Sequence, residues 1–395
     1  MTAESATAPA APDGSATAGS MARQALISRL PPFPWDALGP AAELARAHPG
    51  GIVDLSVGTP VDPVPQVVRA ALRAAENSPG YPLTAGTAAL REAAAAWLAR
   101  RHDVTVDPAA VLPVIGTKEL IAWLPTLLGC GAGDVVVYPS LAYPTYDVGA
   151  RLAGATPVAA DVPAGLGEGS GLHTEPVRLV WLNSPANPTG QVLSGAEIAA
   201  AVGWARERGA VVASDECYLG LGWDTTPLSV LHPDACGGSH QGLLAVHSLS
   251  KRSNLAGYRA GFVTGDPDLV AALLEVRKQA GMIVPAPVQA AMAAALGDDA
   301  HAAEQRARYA ARRELLRPAL EAAGWVIDQS GAGLYLWAAH PGLDCWESVR
   351  RLAEAGILVA PGEIYGPQGA RHIRVALTAT DERVDAAVSR LAELG

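Results

Sequence analysis

The sequence has few of the residues that mark disulfide-rich, metal-binding or nucleic-acid-binding proteins. Its four cysteines are widely scattered, and no two of them form a CxxC pair. This spacing indicates reduced thiols in a cytoplasmic protein and argues against a disulfide framework or a zinc site. The formal net charge of −10 argues against nucleic acid as a partner, because phosphate binding needs a basic surface.

Long apolar runs are also missing. No run reaches the roughly 20 apolar residues of a membrane span, and the N-terminus lacks the basic and apolar regions of a signal peptide, so we expect no membrane association. Residues 1–20 are mostly alanine, serine, threonine, glycine and proline. Such a segment cannot build a core, and we expect it to be a disordered tail.

Short β-branched runs alternate with alanine-rich helical stretches from about residue 60. The runs include VLPVI (111–115), RLVWLN (178–183) and LLAVHS (243–248), and AEIAAAVGWARERG (196–209) is one of the helical stretches. This alternation predicts an α/β fold. Because the strands are apolar throughout, we expect a mostly parallel central sheet with helices on both faces.

The pattern changes near Pro285, where a long helical stretch leads to a smaller strand–helix–strand region. We therefore predict a second, smaller α/β domain at the C-terminus. The predicted parts are the tail (1–20), an N-terminal arm that joins the small domain (21–59), a large domain (60–285) and the small domain (286–395).

Polar residues follow the apolar runs, at the sheet edge where open parallel sheets bind ligands. Gly116 and Thr117 open a helix whose free backbone N–H groups suit an anion, and an ordinary N-cap is an equal alternative. Asn187 lies in the proline-bounded loop NSPANPTG, which alone could be a simple turn. Asp215 ends a buried strand, where a carboxylate needs a cation or a donor; a loop-capping aspartate is the alternative.

Lysine is scarce, and one lysine follows the run LLAVHS. The chain has only Lys118, Lys251 and Lys278, and Lys251 lies between Ser248 and Arg259. Hydroxyls, an arginine and a helix N-terminus together suit a dianionic phosphate. Desolvation and nearby cations lower the pKa of a lysine and make it a nucleophile toward a carbonyl. The alternative is a surface lysine in a salt bridge.

These parts describe a ligand with a phosphate, an aldehyde, and a ring that needs a carboxylate on one side and a hydrogen-bond donor on the other. Pyridoxal 5′-phosphate (PLP) has all of these features. We therefore predict that Lys251 holds PLP as a Schiff base.

Four ordered motifs now carry a family resemblance: NPTG (187–190), DECY (215–218), SLSKRSNLAGYRAG (248–261) and IRVAL (373–377). Over roughly residues 30–395 the chain resembles the PLP-dependent class I/II aminotransferases of fold type I. Each motif alone is weak, and the ordered set is specific. The resemblance implies a large PLP-binding domain, with a mostly parallel sheet between helices, and a smaller α/β C-terminal domain.

The resemblance also implies roles for matching residues. Lys251 would be the Schiff-base lysine and the general acid–base catalyst, and Asp215 would pair with the pyridine nitrogen. Asn187 and Tyr218 would hydrogen-bond the ring 3-oxygen, with Lys251, Asp215 and Tyr218 forming the catalytic set. The implied phosphate ligands are Gly116, Thr117, Lys118, Ser248 and Arg259.

Three further residues match positions that meet the substrate or a second subunit. Arg374 would grip the substrate α-carboxylate with its bidentate fork, and Gly58 would lie against the bound substrate, as would Asn187. Tyr81, in YPLTAGTAALREA, resembles the tyrosine that reaches the phosphate of the neighbouring subunit. The resemblance therefore implies a homodimer.

The family usually places an aromatic residue over the cofactor ring. The loop YPSLAYPTY (138–146) offers Tyr138, Tyr143 and Tyr146. We predict Tyr143 from its Tyr-Pro context.

A closer resemblance is to the actinobacterial succinyldiaminopimelate transaminases, through LPPFPWDAL (30–38) and IVDLSVGTPVDPVP (52–65). It implies transfer of an amino group between glutamate, which becomes 2-oxoglutarate, and N-succinyl-2-amino-6-oxopimelate in lysine and diaminopimelate biosynthesis. Arg252, Trp35 and Trp123 are equal candidates for binding the distal end of that substrate.

Other functions stay open on the same fold: an aminotransferase for another amino acid, a C–S β-lyase or a decarboxylase. A PLP-containing transcription regulator would need an added DNA-binding domain, for which residues 1–30 are too short. The chain has no GxxxxGK[ST] motif, and GLGEGSG (165–171) is interpreted as a loop. Cys217 and His247 suggest a Cys/His nucleophile, but both are better explained as fillers beside cofactor contacts.

Overall fold

A computed structural model describes residues 27–167 and 170–394 of the 395-residue chain. The predicted tail, the first residues of the predicted arm and the middle of the GLGEGSG loop lie outside the described residues. Within the described ranges, no helix combines the length and the apolarity needed to cross a bilayer. The first elements are helix α1 (Gly39–Arg46) and strand β1 (Val53–Asp54).

A seven-stranded sheet forms the centre of the larger unit. Its strands are β2 (Val111–Ile115), β3 (Val135–Pro139), β4 (Thr156–Ala160), β5 (Val177–Asn183), β6 (Val211–Asp215), β7 (Leu243–Ser248) and β8 (Ala260–Gly265). The strand order is β2–β8–β7–β6–β5–β3–β4. Strands β7, β6, β5, β3 and β4 run parallel, while β8 is antiparallel to both neighbours. The predicted mostly parallel sheet is confirmed.

Helices cover both faces of this sheet. They are α2 (Gln66–Ala74), α3 (Ala88–His102), α4 (Thr117–Leu127), α5 (Thr145–Ala153), α6 (Gly195–Glu207), α7 (Pro233–Cys236), α8 (Pro267–Ala280) and α9 (Ala286–Gly297). Residues of α2, α3, α6, α7 and α9 pack on one face, and residues of α4, α5 and α8 on the other. Adjacent strand residues point to opposite sides, so Leu182 belongs to the first core and Trp181 to the second.

The rest of the chain forms a smaller unit around an antiparallel sheet. Its elements are α10 (Ala300–Ala322), β9 (Val326–Asp328), β10 (Tyr335–Ala339), α11 (Cys345–Glu354), β11 (Ile357–Leu358), β12 (Ala360–Pro361), β13 (His372–Ala376) and α12 (Asp381–Ala392). The sheet order is β12–β13–β10–β9, and β11 instead pairs with β1. Apolar residues of α1 and β1 share the core of this unit.

The predicted domain bounds stay a prediction, and one contact bears on them. Helix α9 follows Pro285, yet its apolar residues pack in the same core as α2 and α3 on the large sheet. A break at Asp298 and Asp299 separates it from α10, so the long helical stretch near Pro285 is two helices. We propose that the large unit extends through α9 to residue 297.

Helix α10 connects the small unit to the walls of the cleft between the units. The buried Arg312 donates hydrogen bonds of 2.6 and 2.9 Å to Asp62, and Gln305 donates one of 2.7 Å to the same carboxylate. One turn away, the Tyr309 hydroxyl donates to the backbone oxygen of Lys251 at 3.1 Å. One helix thus positions segments on both sides of the cleft.

Candidate active site

The carboxyl ends of the parallel strands open into a cavity of about 480 Å³. Most residues predicted for the site line it, although they come from distant parts of the chain. The lining includes Gly58, Thr117, Lys118, Tyr143, Asn187, Asp215, Tyr218, Ser248, Lys251, Arg259 and Arg374. Tyr81 is outside this group, with 99% of its surface exposed.

Asp215 brings a buried carboxylate to the cavity at the end of β6. Its Oδ2 accepts a hydrogen bond from the Tyr146 hydroxyl at 2.8 Å, and its Oδ1 accepts one from the Cys217 backbone N–H at 3.2 Å. Burial raises the pKa of Asp215, and the hydrogen bonds from Cys217 and Tyr146 oppose that shift. The carboxylate is therefore held in one orientation.

Asn187 is oriented by its own neighbours. Its backbone N–H donates to Asn183 Oδ1 at 2.8 Å, and Asn183 in turn donates to the backbone oxygen of Asp215 at 3.0 Å. The Asn187 Oδ1 accepts from Arg374 Nη1 at 2.8 Å. This leaves the Asn187 Nδ2 group as a donor to a ligand in the cavity.

Arg374 is 2% exposed and lies on β13. Its Nη2 donates to the backbone oxygen of Ser56 at 2.6 Å. Its Nε is buried and has no hydrogen-bond partner among the described residues. The guanidinium carbon lies 3.9 Å from the ring centroid of Tyr335, so an aromatic face supports the cation while one N–H stays available.

Lys251 directs its amine into the same cavity, where Nζ donates to the backbone oxygen of Gly58. Burial lowers the pKa of Lys251, and the positive charges of Arg374 and Arg259 add to this effect. A lowered pKa increases the neutral fraction of an amine, which is the nucleophilic form.

A single short segment, Ser56–Gly58, accepts hydrogen bonds from both of these cations. The backbone oxygen of Ser56 bonds Arg374, that of Val57 accepts from Thr378 Oγ1 at 3.1 Å, and that of Gly58 bonds Lys251. Three consecutive carbonyl groups of the main chain therefore hold the two sides of the cavity together.

The N-terminus of α4 and Arg259 form an anion cradle. Gly116 precedes this helix with φ +73°, and a Cβ atom there would lie 2.2 Å from Arg259 Nη2. Only glycine suits both the left-handed backbone and the close guanidinium. Helix dipole, free N–H groups and guanidinium together favour a phosphate.

The sequence matches the family model "Aminotransferase class I and II" over residues 51–391. The chain belongs to this family. The predicted family, enzyme class and fold are thereby confirmed.

Two curated aminotransferases are similar to this one over most of its length. A probable aminotransferase of Mycobacterium tuberculosis is 64% identical, over 94% of this chain and 87% of the relative. The 4-dedimethylamino-4-oxo-anhydrotetracycline transaminase OxyQ of Streptomyces rimosus is 61% identical, over 92% of this chain and 100% of the relative. Among solved structures, a probable N-succinyldiaminopimelate aminotransferase from Thermus thermophilus has a TM-score of 0.81 at 30% identity, over 91% of this chain and 100% of that chain.

Aminotransferases of this family depend on PLP, and the cavity of this one fits that cofactor. Gly116 and Arg259 form the cradle for a phosphate. Asp215 supplies a buried carboxylate for a ring nitrogen, and Lys251 supplies an amine for an aldehyde. The predicted cofactor is confirmed, and the role of each residue stays a prediction.

The three candidate tyrosines for the cofactor ring occupy different places in the aminotransferase. Tyr143 lines the cavity. Tyr146 is fully buried behind it and bonds Asp215, while the Tyr138 hydroxyl donates to Asp147 at 3.4 Å. Of the three, only Tyr143 lines the cavity, and its stacking on the cofactor ring stays a prediction.

The three residues predicted as candidates for binding the distal end of the substrate also lie in different places. Trp35 lines the cavity. Trp123 is 40% exposed outside it, and Arg252 lies over the Trp97 ring while donating to the backbone oxygen of Ala295 at 3.2 Å. Arg252 is therefore outside the cavity lining and is held by other partners.

Sequence reasoning missed Tyr335 and Phe33, which also line the cavity. Tyr335 lies in the apolar run LYLWAA, which predicts a core strand and nothing more. The available signal was its hydroxyl, because a buried tyrosine usually finds a polar partner.

The suggested Cys217–His247 nucleophile does not form. Cys217 lies in the cavity with Sγ 3.4 Å from Thr117 Oγ1, and burial raises its pKa. His247 packs on the opposite face of the sheet, against Trp97 and Phe262.

His247 instead lies beside Glu216 in a buried, neutral pair. The His247 Nε2 and Glu216 Oε2 atoms are 3.7 Å apart, too far for a hydrogen bond. Burial raises the pKa of Glu216 to about 7 and lowers that of His247 to about 3. Near pH 6 both groups are therefore largely uncharged.

This pair makes stability depend on pH in a defined direction. The proton on Glu216 stabilises the folded state below its ordinary pKa of 4.5, and that contribution is lost as pH rises through about 7. Glutamine does not titrate, so replacing Glu216 with glutamine removes this loss of stability with rising pH. We expect the free energy of unfolding of Glu216→Gln, relative to the unchanged protein, to increase by on the order of 2 kcal/mol between pH 5 and pH 8.

Urea unfolding of the PLP-loaded protein at the two pH values measures this difference. Glu207→Gln, at an exposed carboxylate at the end of α6, is the matched control and should show no such trend. A Glu216→Gln difference that is equal at both pH values would contradict the assignment.

Proposed function

We propose that this aminotransferase exchanges an amino group between glutamate and a keto acid with a second anionic group, and that the keto acid is N-succinyl-2-amino-6-oxopimelate. The observation that carries the proposal is a pair of cations available to a ligand. Arg374 has a buried Nε without a hydrogen-bond partner, and Lys118 has no carboxylate partner, among the described residues. A substrate with an α-carboxylate and a distal carboxylate would bind both.

The location of Lys118 supports a contact with the far end of the substrate. Its Nζ lies 5.5 Å from the ring centroid of Phe33 and 5.8 Å from that of Tyr143. Phe33 is 54% exposed, so the ammonium lies near the mouth of the cavity. An anion held there would have a binding point separate from Arg374, as the second carboxylate of the proposed substrate requires.

Bound PLP supplies an electron sink for negative charge at the substrate α-carbon. In the proposed mechanism Lys251 Nζ would take the proton from that carbon and deliver it to the cofactor, which a lowered lysine pKa favours. Arg374 holds the α-carboxylate. Asn187 Nδ2 and the Tyr218 hydroxyl donate to the ring oxygen of the cofactor, and the Asp215 carboxylate holds a proton at its ring nitrogen.

A homodimer is part of this proposal. Family members are typically dimers, and Tyr81 and Leu83 are 99% and 66% exposed. A second copy covering this segment would bury both side chains and would let Tyr81 reach the partner's phosphate cradle.

A second candidate function is transamination of a ring ketone on an aromatic polyketide. The 61% identity to the anhydrotetracycline transaminase favours it, as do the aromatic side chains of Phe33, Trp35 and Tyr143 in the cavity. Such rings would stack on a planar substrate.

Mass spectrometry separates the two candidates. The PLP-loaded protein is incubated with ¹⁵N-glutamate and either N-succinyl-2-amino-6-oxopimelate or the 4-oxo-anhydrotetracycline. We expect labelled amine in the succinylated product. Label only in the polyketide would replace the first proposal by the second, and label in neither would overturn both.

Replacing Lys118 with methionine tests the distal contact. We expect kcat/KM for acidic amino acids to fall about tenfold, because one partner of a charge pair is lost, while kcat/KM for alanine stays unchanged. Lys278→Met, at a surface lysine paired with Glu275, is the control. Equal losses for acidic and neutral substrates would instead indicate that Lys118 acts on the cofactor phosphate.

A further inference from the structure

We propose that Tyr335 is a positioning residue that orders the Tyr218 hydroxyl and the Arg374 guanidinium at the same time. Tyr335 begins β10 in the small unit, is 4% exposed and lines the cavity. The inference rests on the roles proposed above for Tyr218 and Arg374.

The hydroxyl groups of Tyr335 and Tyr218 form the first contact. Their oxygen atoms are 3.1 Å apart, and the rings meet edge to face at a centroid distance of 5.8 Å. Each hydroxyl carries one proton. If Tyr218 donates its proton to the cofactor ring oxygen, it must accept from Tyr335, which sets the direction of both hydrogen bonds. A donor that itself accepts a hydrogen bond is a stronger donor.

The ring of Tyr335 forms the second contact. The Arg374 guanidinium carbon lies 3.9 Å from its centroid, within the range of a cation–π interaction. Strand pairing makes this possible, because Arg374 is opposite Trp337 on β10, two residues from Tyr335. The aromatic face holds the guanidinium plane without using any N–H, so the free Nε remains available to a carboxylate.

Gly58 leaves the space that the Tyr335 hydroxyl occupies. A Cβ atom at residue 58 would lie 2.3 Å from the Tyr335 oxygen. The backbone of Gly58 has no positive φ, so alanine is excluded by the hydroxyl end of the Tyr335 ring and not by the conformation of residue 58. Gly58→Ala therefore offers a way to displace the hydroxyl without changing either tyrosine.

The two contacts predict different defects. Tyr335→Phe removes the hydroxyl and keeps the ring. A weaker hydrogen bond from Tyr218 stabilises the negative ring oxygen less, so the pH midpoint of the visible absorbance of the bound cofactor should rise by about half a unit, with KM for glutamate unchanged. Tyr335→Leu removes the ring as well, and KM should then rise about fivefold.

Absorbance titration of each PLP-loaded variant, followed by steady-state kinetics, tests these effects. Gly58→Ala should raise the midpoint in the same direction as Tyr335→Phe. Tyr138→Phe, which removes a hydroxyl that does not line the cavity, should leave it unchanged. A purely structural role for Tyr335 would lower the melting temperature without moving the midpoint, and that result would overturn the proposal.

Tyr218→Phe distinguishes this inference from the function on which it rests. A midpoint that rises in Tyr218→Phe but not in Tyr335→Phe or Gly58→Ala refutes the positioning role alone. A midpoint that rises in none of them refutes the role of Tyr218 and, with it, that of Tyr335.

Discussion

Lys251→Ala is expected to abolish transamination and to remove the visible absorbance band of the covalently held cofactor. Lys251 Nζ is a buried amine in the cavity, near enough to Arg259 and Arg374 to feel their charges, and its pKa is lowered chiefly by burial. Loss of a nucleophile and of a general base at one position should reduce turnover by more than about 10⁴-fold. PLP should still associate through the cradle at Gly116, with lower affinity and without the linked spectrum.

Lys278→Ala is the matched control. Lys278 is an exposed lysine that pairs with Glu275 at 2.6 Å, and its replacement should change neither spectrum nor turnover. Absorbance scans and single-turnover kinetics with glutamate make both measurements. A Lys251→Ala protein with normal turnover would remove the basis of the whole mechanism.

Asp215→Asn is expected to lower turnover by about 10³-fold while the protein still binds PLP. The amide has nearly the same shape as the carboxylate: its single oxygen can keep the hydrogen bond from the Cys217 backbone N–H, and the Tyr146 hydroxyl can turn to accept from the new NH2 group. What is lost is the negative charge that holds a proton on the ring nitrogen. The electron sink is therefore weakened although the cofactor stays in place.

The control for this variant is Asp234→Asn, because the Asp234 side chain is 82% exposed and does not line the cavity. Cofactor content and single-turnover rate are measured on the same samples. Asp215→Asn with full cofactor content and an unchanged rate would show that Asp215 does not tune the ring, and loss of cofactor would assign it to binding instead.

The large sheet was largely predictable because its strands are continuous β-branched runs. The runs 111–115 and 243–248 coincide with β2 and β7. Strand β4 was missed, since TPVAA at the sheet edge contains proline and alanines. The run ILVAP divides between β11 and β12, which belong to different sheets, and a run of apolar residues carries no information on its pairing partner.

The residues at strand ends were predictable for a similar reason, since parallel strands bring their carboxyl ends to one edge. Thr117, Asn187, Asp215 and Ser248 meet in the cavity as expected. Tyr335 was not predictable, because its contact with Tyr218 crosses between the two units and its contact with Arg374 depends on the pairing of β10 with β13. Local periodicity encodes neither how the units pack nor which strands pair.

The hydrogen bonds of Ser56–Gly58 have a consequence for communication inside the cavity. The same few peptide units accept from the guanidinium of Arg374 and from the amine of Lys251. When a ligand changes the bonding of one cation, it also changes the strength with which this segment holds the other. By thermodynamic reciprocity, imine formation at residue 251 must then alter the carboxylate affinity at residue 374. Carboxylate binding must alter the equilibrium constant for imine formation by the same factor.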